Sequence, residues 1–135
     1  MITKAVPAVI ALAVLGAATA QAAPADGKAW SASYQQAGAK GSITSDHGQF
    51  PVVKATGTLT STAASGCYHV SMLTYMPISK PPRVKHTKSG NQCGKGSLPV
   101  SLSATTDAFF TDVSFEICTD DYDFVCGPAT GVKPN

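Results

Sequence analysis

The fold of this chain is decided by the stretch Cys67-Tyr68-His69-Val70-Ser71-Met72-Leu73-Thr74-Tyr75-Met76. Alternate residues of this stretch form an apolar face that consists of Tyr68, Val70, Met72, Thr74 and Met76. The residues between them, beginning with His69 and Ser71, are more polar. A period of two is typical of a β-strand that packs one face on a core. Pro77 ends the pattern, because proline lacks the backbone donor that a sheet requires.

Other segments repeat this alternation. Leu98, Val100 and Leu102 form one, and the clearest has an inward face of Phe109, Thr111, Val113, Phe115 and Ile117. The Thr-rich residues 56–60 predict a further strand, and residues 124–132 predict a short last one. No part of the chain after the first apolar run has the i, i+3, i+4, i+7 apolar spacing of an amphipathic helix.

Short strands separated by glycine and proline predict an all-β fold. We expect a small antiparallel β-sandwich, immunoglobulin-like or barrel-like, with little or no helix. Residues 23–48 are mostly Ala, Ser, Gly and Gln, with Trp30 and Tyr34 as the only large side chains before residue 46. This composition predicts a weakly ordered N-terminal segment with at most one short strand. A single β domain is therefore predicted for residues 49–135.

The first residues indicate export. Met1-Ile2-Thr3-Lys4 carries one positive charge, an apolar run follows, and Ala20-Gln21-Ala22 is a small-x-small cleavage site. These are the three parts of a secretory signal peptide, so we expect cleavage after Ala22, or after Ala23 as the alternative. A membrane anchor is the other interpretation, but the run is shorter than the roughly 20 residues of a span. We therefore predict a secreted, extracellular protein without a membrane span.

Four cysteines follow the predicted signal peptide. An even number of cysteines in an exported chain predicts two disulfides, although four cysteines allow three pairings. We favour Cys67–Cys93 and Cys118–Cys126, because each pair brackets a polar or Gly-rich stretch between strand-like runs. Zinc binding is the rival interpretation. It needs close Cys or His pairs, and only Cys67 and His69 lie near each other in the chain.

Charge is distributed unevenly. Residues 23–95 contain eight cations and two carboxylates, whereas residues 96–135 contain six carboxylates and one cation. The cations concentrate in residues 80–95, which we expect to form an exposed, proline-stiffened loop. Its candidate binding residues are Lys80, Arg83, Lys85, His86 and Lys88. An extracellular protein or an anionic cell-surface polymer would fit such a loop, while the scarcity of aromatic residues argues against nucleic acid. An ordinary solvated loop is the alternative.

The segment between Cys118 and Cys126 is acidic. Asp120, Asp121 and Asp123 are weak candidate ligands for calcium, which takes six to eight oxygen ligands. The spacing of an EF-hand is absent, and a solvated turn is the alternative. No motif in the chain calls for a cofactor.

No catalytic signature is recognisable, since the chain lacks a P-loop, H-E-x-x-H, a dinucleotide fingerprint and G-x-S-x-G. The histidines are His47, His69 and His86, and a ribonuclease would have Glu116, His86 and Arg83 available as residue types. The leading hypothesis is a small secreted, non-enzymatic binding protein that presents the basic loop. One specific form is a protease inhibitor that displays residues 76–83. The alternatives are an antimicrobial or toxin-like protein acting on wall or membrane, and a small secreted hydrolase.

Overall fold

The computed structural model describes residues 27–46, 48–77, 80–106, 112–120 and 125–134. The predicted signal peptide, residues 1–22, lies outside these ranges. The strands within them are β1 (Lys28–Tyr34), β2 (Ala37–Ser45), β3 (Val52–Ser61), β4 (Cys67–Met76), β5 (Arg83–Lys88), β6 (Gln92–Cys93), β7 (Gly96–Thr105), β8 (Val113–Thr119) and β9 (Thr130–Val132). No described residue is helical. Accordingly, no helix in the described ranges is able to cross a membrane.

The strands form two antiparallel sheets. Sheet A has the order β1-β2-β3-β7, and sheet B has the order β5-β4-β8-β9. The short strand β6 pairs with the first two residues of β4, beside β5. Buried apolar residues from both sheets form a single core cluster. The all-β prediction is confirmed, and the two sheets fit the predicted sandwich.

The deciding stretch forms β4 along its whole length. Most of its predicted apolar face is buried, with Val70 and Met72 completely inaccessible to solvent and Met76 half-buried at the end of the strand. On β8, the predicted inward residues Val113, Phe115 and Ile117 are also fully buried. Phe109 and Thr111, which the same alternation places on this face, lie outside the described residues. Burial of alternate side chains on paired strands is what the period of two predicts.

Both predicted disulfides are present and join directly opposite residues of paired strands. Cys67 faces Cys93 in the β4–β6 pairing, and Cys118 faces Cys126 in an antiparallel bridge. The Cα atoms lie 4.0 Å and 3.9 Å apart, respectively. Such close pairs are the non-hydrogen-bonded type, in which facing side chains approach most closely. Strand register therefore explains the pairing, and with both pairs oxidised no thiolate remains to bind zinc.

Residues 28–45 differ from what is predicted for the segment before residue 49. Instead of a weakly ordered segment with one short strand, residues 28–45 form the complete hairpin of β1 and β2. The inward side chains of this hairpin include Ala32, Ala37 and Ala39, all of them buried. Alanine and glycine give only a weak hydrophobic alternation, so this hairpin is not apparent from the residue pattern.

The small residues of sheet A make room for Trp30. Its indole stacks on Phe115 of sheet B, with ring centroids 4.3 Å apart and an interplanar angle of 14°. In the register of the sheet, Trp30 of β1 faces Gly41 of β2, which in turn faces Gly57 of β3. The indole Nε1–H donates to the carbonyl oxygens of Ser42, at 3.2 Å, and Thr56, at 3.1 Å. Trp30 therefore joins both sheets and three strands of sheet A.

The basic segment is also different from the prediction. Residues 83–88 are not an exposed loop but the strand β5, which pairs with residues 71–76 of β4. The charged side chains of this segment do not alternate with apolar ones, so its residue pattern does not predict a strand. The pairing with β4, which lies at the centre of sheet B, supplies the backbone hydrogen bonds that hold it extended.

Candidate binding site at the β5 edge

The strand β5 forms one edge of sheet B. The only strand that pairs with it among the described residues is β4, whose first two residues pair with the short strand β6 on the same side. All of its residues are exposed except Thr87, which is half-buried. Four of the five candidate binding residues, Arg83, Lys85, His86 and Lys88, belong to this strand, and the exposed Lys80 precedes it.

The side chains of β5 are divided between two faces. Arg83, Lys85 and Thr87 lie opposite Met76, Thr74 and Met72 of β4, on the side of the sheet that faces the core. Val84, His86 and Lys88 lie opposite Tyr75, Leu73 and Ser71, on the outer side. Positive charge therefore surrounds the edge on both sides of the strand rather than forming a patch on one face of the sheet.

The backbone N–H and C=O groups of β5 point alternately to β4 and to the open edge. The N–H of Ser89, directly after the strand, donates to the carbonyl of Val70 at 2.9 Å, which makes these two residues a hydrogen-bonded pair. Hydrogen-bonded and non-hydrogen-bonded pairs alternate along antiparallel strands. In this register Thr87 and Lys85 bond to β4, consistent with the 3.5 Å contact from the Thr74 hydroxyl to the Lys85 carbonyl. The backbone groups of Val84 and His86 therefore point away from β4, to the open edge.

The part of the sequence that contains β5 has no carboxylate side chains. No aspartate or glutamate occurs between Asp46 and Asp107, whereas six lysines and arginines do. Across the sheet, Glu116 of β8 lies on the far side of β4, opposite Ser71. Strands in a sheet are about 4.8 Å apart, so two strand spacings separate Glu116 from β5. The neighbouring strand β4 itself contains no acidic residue.

A second cluster lies on the outer face of sheet B at the other end of β4. The Nδ1 of His69 lies 3.0 Å from Oδ1 of Asp120. Because an ionised carboxylate only accepts, the imidazole is the donor. Cys118 lies opposite His69, and Asp120 bonds through its N–H to the carbonyl of Cys67. Asp120, His69 and Ser71 therefore occupy three successive rows of this face.

This order is that of an acid, a base and a hydroxyl in a hydrolase. The burial does not favour catalysis, because the His69 side chain is 3% exposed and Ser71 is equally buried. Within the described residues, no hydrogen bond joins Ser71 to His69. The ribonuclease-type residues are not brought together either, since Arg83 lies on the opposite face of sheet B from His86 and Glu116. His69 is best explained as a buried polar residue whose partner is Asp120.

Of the three candidate calcium ligands, only Asp120 belongs to the residues that the structure describes. Asp120 bonds to His69 through Oδ1, while Asp121 and Asp123 lie outside the described residues. Side chains of Glu116, Cys118 and Cys126 place possible ligand atoms within 4.8 Å of one another. The two cysteines form a disulfide with each other, so this group is no metal site.

The outer face of sheet A was not identified as a feature from the sequence. Its side chains are mostly small hydroxyls, and a depression of about 530 Å³ is lined there by Ser31, Lys40, Thr58 and Thr60 among others. The Thr-x-Thr-x-Thr pattern of residues 56–60 is the signal in the chain. With Lys40 as the only charge in its lining, this depression is less distinctive than the β5 edge.

Comparisons of the chain with protein-family models, curated proteins and solved structures give no significant match.

Replacing His69 by alanine should destabilise the fold by about 2 kcal/mol, because it removes a buried side chain and the partner of Asp120. Replacing His86, which is exposed on the edge strand, should change stability by no more than about 0.5 kcal/mol. Urea unfolding followed by far-UV circular dichroism measures both variants. A His69→Ala protein as stable as the parent would contradict the structural role and return this histidine to the list of functional candidates.

Proposed function

We propose that this protein is a secreted, non-enzymatic binding protein that recognises an acidic segment of an extracellular protein through its β5 edge. The observation that carries the proposal is the exposed edge strand with cations on both faces and no acidic residue on the neighbouring strand β4. The two disulfides support it, because they suit an oxidising compartment outside the cytoplasm. A disulfide-stapled sandwich is also a rigid support on which an exposed segment can serve as a binding surface.

An acidic protein is favoured over an anionic wall polymer by the kind of surface that β5 offers. A polymer of phosphates or sugars would use only the charges, whereas an extended peptide would also use the backbone groups of Val84 and His86. The protease-inhibitor form of the hypothesis would use the connection between β4 and β5. Ile78 and Ser79 of that connection lie outside the described residues, so the proposal does not rest on it.

The proposal is tested by the binding of a short fluorescein-labelled peptide of alternating glutamate and threonine, measured by fluorescence anisotropy. The triple variant Lys80→Gln/Arg83→Gln/Lys85→Gln should bind this peptide about tenfold more weakly, since each exposed ion pair contributes roughly 0.2–1 kcal/mol. Raising the salt until the Debye length falls from about 10 Å to about 3 Å should weaken binding to the parent protein as well.

The matched control removes the same number of charges from the other sheet. Lys28→Gln/Lys40→Gln/Lys54→Gln replaces three exposed lysines of sheet A and should leave the affinity within about threefold of the parent. Equal losses in the two triple variants would mean that only net charge matters, which contradicts a binding site at β5. Binding to a wall teichoic acid but not to the peptide would favour the polymer instead.

A further inference from the structure

We infer that the acidic segment binds as an additional β-strand, hydrogen-bonded to the open edge of β5. This inference rests on the proposed function and specifies its mode and the chemistry of the partner. The partner would be an extended segment in which carboxylate and apolar side chains alternate. Peptides that extend an exposed sheet in this way obtain affinity from the main chain and specificity from alternate side chains.

The pairing of β4 with β5 determines which backbone groups of β5 a further strand can reach. Ser89 and Val70 form a hydrogen-bonded pair, and the alternation of pairs places the N–H and C=O of Val84 and His86 on the open side. No described residue on that side hydrogen-bonds to the backbone of either residue. Two residues of a strand span about 6.8 Å, so these groups have the spacing at which a further antiparallel strand makes its hydrogen bonds.

The side chains of β5 determine which partner strand can bind beside it. On the core side of the sheet, Arg83 and Lys85 are two residues apart and both exposed. A partner with carboxylates at positions i and i+2 would place one opposite each of them, at the 4.5–5.5 Å separation of directly facing Cβ atoms. On the outer side, Val84 and its cross-strand neighbour Tyr75 are both 47% exposed. Apolar residues between the carboxylates of the partner would cover this pair.

A second copy of this chain is the less suitable occupant. In an antiparallel pairing of two β5 edges, cations of one strand would face cations of the other. Like charges directly opposite each other destabilise a sheet, and lysines on edge strands are a common protection against self-association. The charges that disfavour a dimer through β5 are the ones that select an acidic strand.

Proline at position 84 separates strand addition from simple charge attraction. The Val84 N–H points to the open edge, so Val84→Pro removes a donor from the edge without removing a hydrogen bond to β4 or any charge. The probe is a labelled peptide of alternating glutamate and valine, with threonine replacing the central valine, and the readout is fluorescence anisotropy. We expect Val84→Pro to bind it about tenfold more weakly, the effect of one lost hydrogen bond. The control Val84→Ala keeps the N–H and should lose about threefold or less.

A second series tests the inference with the parent protein alone. The same peptide is N-methylated at one amide at a time, which blocks one main-chain donor in each version. Strand addition predicts an alternating pattern, with about tenfold losses at every second amide and little change between them. A uniform response to methylation, together with unchanged binding by Val84→Pro, would overturn strand addition.

These outcomes are distinguishable from failure of the proposed function. If strand addition is wrong but the function is right, the peptide still binds the parent protein and the triple variant at Lys80, Arg83 and Lys85 still loses affinity. If the proposed function is wrong, the parent protein binds neither acidic peptide. Should Val84→Pro fail to fold, the methylated peptides decide the matter without it.

Discussion

Replacing Trp30 by alanine should lower the free energy of unfolding by about 3–5 kcal/mol, the cost of deleting a large buried aromatic side chain. The indole is 2% exposed, stacks on Phe115 across the two sheets, and donates to the Ser42 and Thr56 carbonyls. Its removal would leave a cavity beside Gly41 and Gly57, neither of which has a side chain to fill it. Since small domains are stable by only about 5–15 kcal/mol, this loss would be a large fraction of the total stability.

The measurement is urea denaturation followed by far-UV circular dichroism, because Trp30 is the only tryptophan and its fluorescence disappears with it. The control is Trp30→Phe, which keeps an aromatic ring against Phe115 but removes the indole donor. We expect this variant to lose about 1–2 kcal/mol, mainly from the unpaired carbonyls. An alanine variant within about 1 kcal/mol of the parent would show that Trp30 does not hold the two sheets together.

Replacing Gly41 by alanine should cost about 3 kcal/mol, although it adds a single methyl group. A Cβ at this position would lie 1.8 Å from the Thr56 carbonyl oxygen and 2.5 Å from the Gly57 Cα. Both atoms belong to the backbone of β3, so no side-chain rotation relieves the overlap and the two strands must move apart. The melting temperature should fall by more than about 10 °C in a domain of this size.

Gly38 is the matched control, since it lies three residues earlier in the same strand and an added Cβ would meet nothing within 4 Å. Gly38→Ala should leave stability unchanged or raise it slightly, because glycine costs about 0.5–1 kcal/mol relative to alanine inside a strand. Both proteins are compared by thermal unfolding. Equal melting temperatures for the two variants would contradict the close approach of β2 and β3.

The strands that residue patterns identify are those with one strongly apolar face. Residues 67–76 and the inward residues Val113, Phe115 and Ile117 of β8 alternate clearly, because a half-buried strand needs apolar side chains at every second position. The disulfide pairing was also anticipated, although the pattern of cysteines alone leaves three pairings open. Register in the folded sheets decides among them, since it brings Cys67 opposite Cys93 and Cys118 opposite Cys126.

The hairpin of β1 and β2 could not be predicted in the same way. Alanine and glycine occupy its inward positions because the indole of Trp30 needs the space above Gly41 and Gly57. That requirement involves three strands and the ring of Phe115 on another sheet, and none of it is visible in residues 28–45 alone. Likewise, the hydrogen bond from His69 to Asp120 joins residues 51 positions apart.

For the candidate site, the sequence by itself determined its charge: the cations of residues 80–88 and the absence of nearby carboxylates are properties of composition. It also determined that residues 67–76 form a strand with one face on the core, because the apolar face of β4 is encoded locally. Only the tertiary structure decided that the cations lie on an edge strand with the backbone of Val84 and His86 directed outward. The physical reason is that a strand of charged residues has no apolar period of its own, so its conformation and free edge depend on the neighbour with which it pairs.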